Sequence, residues 1–185
     1  MSARIAGTML FLGGVQFVIV MVIAEAIYPG YSVSRNFISD LGVGPVATLF
    51  NFSVSLLGLT AVLGAYFAQR TFRHPILTAL FVIAGAGAIG VGVFPETVRP
   101  IHLLVSLVTF VFGGLSAIAA YPIERRPLNF LSILMGALSL VALGLFATGV
   151  YLGLGPGGME RMIAYPILLW LIGVGVQLMS DLAAN

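Results

Sequence analysis

"IAGTMLFLGGVQFVIVMVIA", residues 5–24, is a twenty-residue run without a charge, and Thr8 and Gln16 are its only polar side chains. Its apolar residues do not alternate, which argues against the wall of a barrel and leaves a helix. At about 1.5 Å per residue the run reaches roughly 30 Å, the thickness of bilayer hydrocarbon. Its flanks imitate a secretory leader: Arg4 precedes it, and Ala24-Glu25-Ala26 mimics a peptidase site. A leader's apolar core is shorter, about 7–15 residues. The run is therefore read as a retained first membrane helix.

With that helix taken as 5–28, five more runs of the same character follow at 45–68, 75–94, 101–121, 128–152 and 163–183. The expected fold class is all-α, a polytopic membrane protein whose bundle of six transmembrane helices makes one domain over residues 1–185. Composition agrees. The chain is 60% hydrophobic and 8% charged, where a water-soluble domain carries about a quarter charged residues. Tyrosine, which favours the membrane interface, gives an independent check. Tyr28, Tyr31, Tyr151 and Tyr165 fall at one set of expected helix ends, Tyr66 and Tyr121 at the other.

Placing the N-terminus inside puts Arg4, Arg70, Arg73, Arg125 and Arg126 on the inner side and Arg35, Arg99 and Arg161 on the outer. Five against three favours a multi-pass protein of the cell membrane with both termini cytoplasmic. In "AGAGAIGVG", residues 84–92, Ala84, Ala88 and Gly92 form a small-residue ridge. Such ridges let helix backbones approach closely in lipid. They point to a central third helix or, as the alternative, to a dimer interface.

Several function classes drop out. The net charge of +2 and the scattered arginines offer no stripe for phosphates, so nucleic acid is not an expected partner. With no cysteine there is no disulfide, thiolate or Cys-ligated metal, and no cofactor or metal signature is present. Two histidines, His74 and His102, fall on opposite sides, so a three-His zinc site cannot form. No ionisable group is expected near the midplane, which weighs against a proton-coupled transporter. Gln16, Asn51, Ser53, Ser55, Ser106, Thr109, Ser132, Ser139, Thr148 and Gln177 read as interhelical hydrogen-bonding groups.

The outer segments are where chemistry gathers. Glu25 lies about one turn inside the boundary set by Tyr28, where a carboxylate needs a partner, a proton or a wet cavity. His102 follows Pro100 in a first helical turn and can serve as a base or a ligand, or else simply bond a loop carbonyl. Ser34 or Ser39 beside His102 would make a nucleophile pair, although serines in such loops usually cap or turn the chain. In "ISDLGVGP" Asp40 is read as a backbone cap, Gly42 and Gly44 as turns and Pro45 as the opening of helix 2. Arg35 has no part in that structural job.

The string "SRNFISDLG" resembles the first loop of the uncharacterised six-span prokaryotic membrane protein family known as domain of unknown function 998. The matching residues are Arg35, Ile38, Ser39, Asp40, Leu41 and Gly42, followed by Phe94, Pro95, Glu96 and His102. The loop is also distantly similar to an "ISD-x-G" first loop of eukaryotic multi-spanning autophagy-modulator and lipid-remodelling proteins. Such a likeness implies lipids as partners and names no activity.

The expected ligand-binding residues are Glu25, Arg35, Asp40, Glu96, Arg99 and His102, converging on one outer concavity that takes a lipid headgroup or small polar ligand. The alternatives are an accessory subunit that binds a second copy or another membrane protein, and a lipid-modifying enzyme using Asp40, Glu96 and His102.

Overall fold

The computed structural model describes residues 1–180. Six helices follow one another: α1 (Ser2–Ile27), α2 (Ala47–Phe72), α3 (Pro75–Val93), α4 (Arg99–Ala119), α5 (Leu128–Ala147) and α6 (Gly155–Ser180). All six are long and apolar enough to cross a membrane, and the architecture is the all-α bundle expected from the hydropathy. Outward-facing Phe52, Leu104, Leu134 and Leu169 are exposed, as side chains that meet lipid should be.

The helices close a ring in chain order, α1 to α6 and back to α1, with α6 leaning inward to touch α4. Because they alternate in direction, the 28–46 segment, the 94–98 turn and the 148–154 linker share one face, called here the site face. The start of α1, the last described turn of α6 and the other two connections lie on the opposite face. Glycine sets the spacing of every second seam. A Cβ at Gly58 would fall on the Gly85 backbone, one at Gly136 on Gly114, and one at Gly7 on Gly175. These contacts close α2 on α3, α4 on α5 and α1 on α6, the close approach that membrane helices need in order to associate.

Of the expected ridge Ala88 is buried, while Ala84 and Gly92 are half-buried, Gly92 against Ser55 and Asn51 of α2. The central position expected for the third helix is not found. Helix α3 touches only α2 and α4 strongly, and α6 is the interior helix, with Trp170, Leu171, Val174 and Leu178 all buried.

Two boundaries also move. Helix α5 stops at Ala147 rather than 152, because Gly149 (φ 75°) and Gly153 (φ 82°) turn an apolar string that reads as helix. Helix α6 starts at Gly155 rather than 163, and residues 181–183 of the expected span lie outside the described residues. The charged pair Glu160-Arg161, read as a break, lies inside the helix because both side chains find partners there. Tyr165 consequently sits within α6 rather than at its end. His74 caps α3, its Nδ1 accepting from the Leu77 N–H at 3.3 Å. Of the polar residues within spans, Gln16 with Ser53 and Ser139 with the Ile163 carbonyl bond between helices. Thr109, Ser116 and Thr148 bond their own helix.

Candidate functional site

The site face is built around Arg161, a residue outside the expected set. It is 3% exposed, so each of its N–H groups needs an acceptor. Nε and Nη2 donate to Glu25 Oε1 at 3.2 and 2.6 Å, and Nη2 also reaches the Tyr31 hydroxyl at 2.7 Å. Nη1 is shared among the carbonyls of Val33, Asn36 and Gly157. The planar guanidinium fork suits such a task where an ammonium would not.

The chain can come this close only because glycines open the first turn of α6. A Cβ at Gly157 would meet the carbonyls of Asn36 and Val33, and one at Gly155 would meet Ser34. Tyr31 in turn donates to the Phe37 carbonyl at 2.7 Å. Burial, opposed by the neighbouring Arg161, pushes the Tyr31 hydroxyl up to about 12, so it stays a donor at physiological pH. Glu25 thus has its remedy, and Arg161 supplies it rather than Arg35.

Asp40 shapes the same segment from inside. Its Oδ2 accepts from the Phe37 N–H at 3.0 Å and from Asn36 Nδ2 at 2.9 Å, within a short 3-10 turn at Ser39–Gly42. It caps the chain behind it and leaves helix 2 alone, since Val46 precedes α2 with no side-chain cap. Gly42 and Gly44 serve close approach, not a left-handed turn. A Cβ would meet Asn51 at the first and the Tyr28 ring at the second.

The second motif string meets the first here. Glu96 faces Asp40 and His102, and Ser39 Oγ donates weakly to Glu96 Oε2 at 3.4 Å. His102, 5% exposed, sets Nδ1 at 2.8 Å from the Phe94 carbonyl. A carbonyl only accepts, so Nδ1 carries the hydrogen, and a neutral ring then offers Nε2 as an acceptor. Ser39 bonds Glu96 instead of His102, and Ser34 Oγ pairs with Ser32 at 3.3 Å, so neither forms the nucleophile pair. Among the described residues no three His, Cys, Asp or Glu side chains are placed to hold one metal ion.

Of the six expected site residues, Asp40, Glu96 and His102 come together, and Glu25 joins the adjoining Arg161 cluster. The full convergence does not occur. Arg35 and Arg99 are exposed. Glu160, 7% exposed, links the two clusters by accepting the Ile38 N–H.

Beneath these groups lies a cavity of about 90 Å³ between α1, α2, α3, α4 and α6. Ser39, His102 and Glu160 form its polar end, and Phe17, Phe50, Val91 and Leu168 are among its apolar walls. One buried cation, already saturated, stands against the carboxyls of Glu25, Asp40, Glu96 and Glu160. Of these groups only Glu160 lines the cavity, together with His102 and the hydroxyls of Ser39 and Ser106.

The opposite face holds a smaller buried polar group. Glu124, 7% exposed, accepts from Trp170 Nε1 at 2.6 Å, and Gln177 bonds the backbone of Ile123 and Arg125. Burial raises the Glu124 carboxyl above its ordinary value, and contacts with Ser132 and Trp170 pull the other way. A carboxyl raised in the folded state contributes stability below its unfolded pKa, near ~4.3, and that stability is lost as pH rises through the folded value. Glu124→Gln keeps an acceptor for Trp170 and removes the titration. Its melting temperature relative to the parent protein should therefore climb across that window. A constant difference in a pH series of melts would show that Glu124 does not titrate with folding.

No curated protein and no solved structure matches the chain. One family model does, described as a protein of unknown function (DUF998), over residues 11–177. That range takes in every site residue from Glu25 to Arg161 and both motif strings that meet above the cavity. The chain is a multi-pass membrane protein that belongs to the DUF998 family.

Proposed function

We propose that this protein binds a lipid or another small amphiphilic molecule of the membrane, the polar part under the 28–46 segment and the apolar part below it. The observation that carries this reading is the cavity, whose polar end includes two side chains more than nine-tenths buried, His102 and Glu160. Burying such groups costs several kcal/mol unless partners offset it. A purely structural plug would have closed the space with apolar side chains. Ligand sites, by contrast, are mostly apolar with a few convergent polar groups.

Ala88 lines the cavity and is 4% exposed, so Ala88→Phe places a ring in it. Mass spectrometry of the purified parent protein should find a stoichiometric lipid or amphiphile, and the variant, checked as folded by circular dichroism, should lack it. A parent protein that purifies empty, or a variant that keeps its lipid, would leave the accessory-subunit reading in its place.

The orientation proposed for the site is extracytoplasmic. Arg35, Arg99 and Arg161 lie toward the site face, against five arginines toward the other. That asymmetry favours cytoplasmic termini. Reporter fusions within residues 149–153 and after residue 185 should report opposite compartments, the latter cytoplasmic. The reverse assignment would turn the site to the cytoplasm.

A further inference from the structure

We infer that the occupant of this cavity is a single-chain amphiphile with a hydrogen-bond-donating head, a hydroxyl or an amine, whose tail runs down the bundle interior to Trp170. The inference rests on the binding role proposed above and specifies the ligand class.

The head follows from which groups remain free. His102 spends Nδ1 on the Phe94 carbonyl and leaves Nε2 without a partner among the described residues. Glu160 spends one oxygen on Ile38 and lines the cavity. Both can accept from a ligand, and the Ser106 hydroxyl lines the same cavity. The one buried cation of this face, Arg161, is fully engaged by six acceptor contacts. A phosphate or carboxylate head would meet carboxylates with no free buried arginine. A hydroxyl or an ammonium would supply the missing donor.

The tail follows from the shape. A second cavity of about 60 Å³ shares Ala88, Thr109 and Leu168 with the first and ends at Phe81 and Trp170. From Glu160 to Trp170 along α6 is about 15 Å at the helical rise. Each cavity is smaller than the ~150 Å³ that admits one benzene ring. A single chain can therefore reach Trp170 only if the wall shared by the two cavities, Ala88, Thr109 and Leu168, gives way, and a two-chain lipid is excluded from that depth.

Trp170 is the only tryptophan of the chain and is 1% exposed, so its emission reports on the bottom of the slot. Undecanol and undecylamine, each brominated at the terminal carbon, should quench it saturably in the full chain held in detergent. Undecanoate brominated at the same carbon should not, nor should undecanol brominated beside its head. Glu160→Gln keeps an acceptor for Ile38 and should weaken the amine probe about tenfold, as expected for one charge-assisted hydrogen bond. Ala88→Phe should abolish quenching by every probe. Equal quenching by the carboxylate would overturn the head assignment, and equal quenching from both bromine positions the course of the tail. If a lipid copurifies but no probe quenches, this inference fails and the binding role stands. If nothing copurifies and nothing quenches, both fall.

Discussion

Arg161→Ala is expected to lower stability more than any other single exchange on the site face, by about 3–5 kcal/mol, the cost of breaking a buried ion pair from one side. The variant leaves Glu25 without its cation and the carbonyls of Val33 and Asn36 without their donor. Thermal melts in detergent should show the loss. Limited proteolysis should show where it acts, with cleavage appearing in the 28–46 segment before anywhere else. Arg161→Lys should recover only part of the loss, since an ammonium keeps the charge but lacks the planar fork that spans Glu25, Tyr31 and the carbonyls. Glu25→Gln should cost less than Arg161→Ala, because the backbone contacts of Arg161 survive it. Melting and proteolysis unchanged in Arg161→Ala would mean that the segment is held by its apolar contacts alone. In that case Ile38 and Leu41, both buried, would be the residues to test next.

Gly58→Leu should follow closely, at about 3 kcal/mol, the upper end of ordinary overpacking. The first added carbon would fall on the Gly85 carbonyl oxygen and the Ile89 backbone nitrogen. Backbone atoms cannot rotate aside, so α2 and α3 must part. Gly58 also lines the lower cavity, and the same exchange should therefore weaken any long-chain ligand. Gly144→Leu is the matched control. It lies in α5 with nothing within 4 Å of an added Cβ, and losing a helical glycine there should be neutral or stabilising by roughly 0.5–1 kcal/mol. Equal melting temperatures for the two variants would mean that the glycine contact does not hold the seam.

The two expectations differ in how visible their causes are in the letters. A stripe of small residues announces close helix packing, and "AGAGAIGVG" was legible as such, although its partner was not. Gly58 begins a second small-residue row in α2, with Ala61 and Ala65, and its importance comes from meeting Gly85 across the seam. Arg161 was harder still. The pair Glu160-Arg161 in "GPGGMERM" has the look of a polar linker, and a hydropathy reading starts the helix after it. The available signal was the glycine run before the pair, which makes room for another segment to lie against the helix. Two adjacent unlike charges next to such room are a hint of burial.

Hydropathy alone determined that this chain crosses the membrane six times, because matching a segment to its solvent is a local property of about twenty residues. It also determined that the polar residues of the first, third and fifth connections would share one face. Only the tertiary structure decided which charges neutralise each other. Glu25 finds Arg161 across 136 positions of chain, while Arg35, ten residues away, stays in the open. The reason is that desolvation is settled residue by residue, whereas charge pairing depends on distances in space. Those distances were set by glycines that let one backbone rest on another.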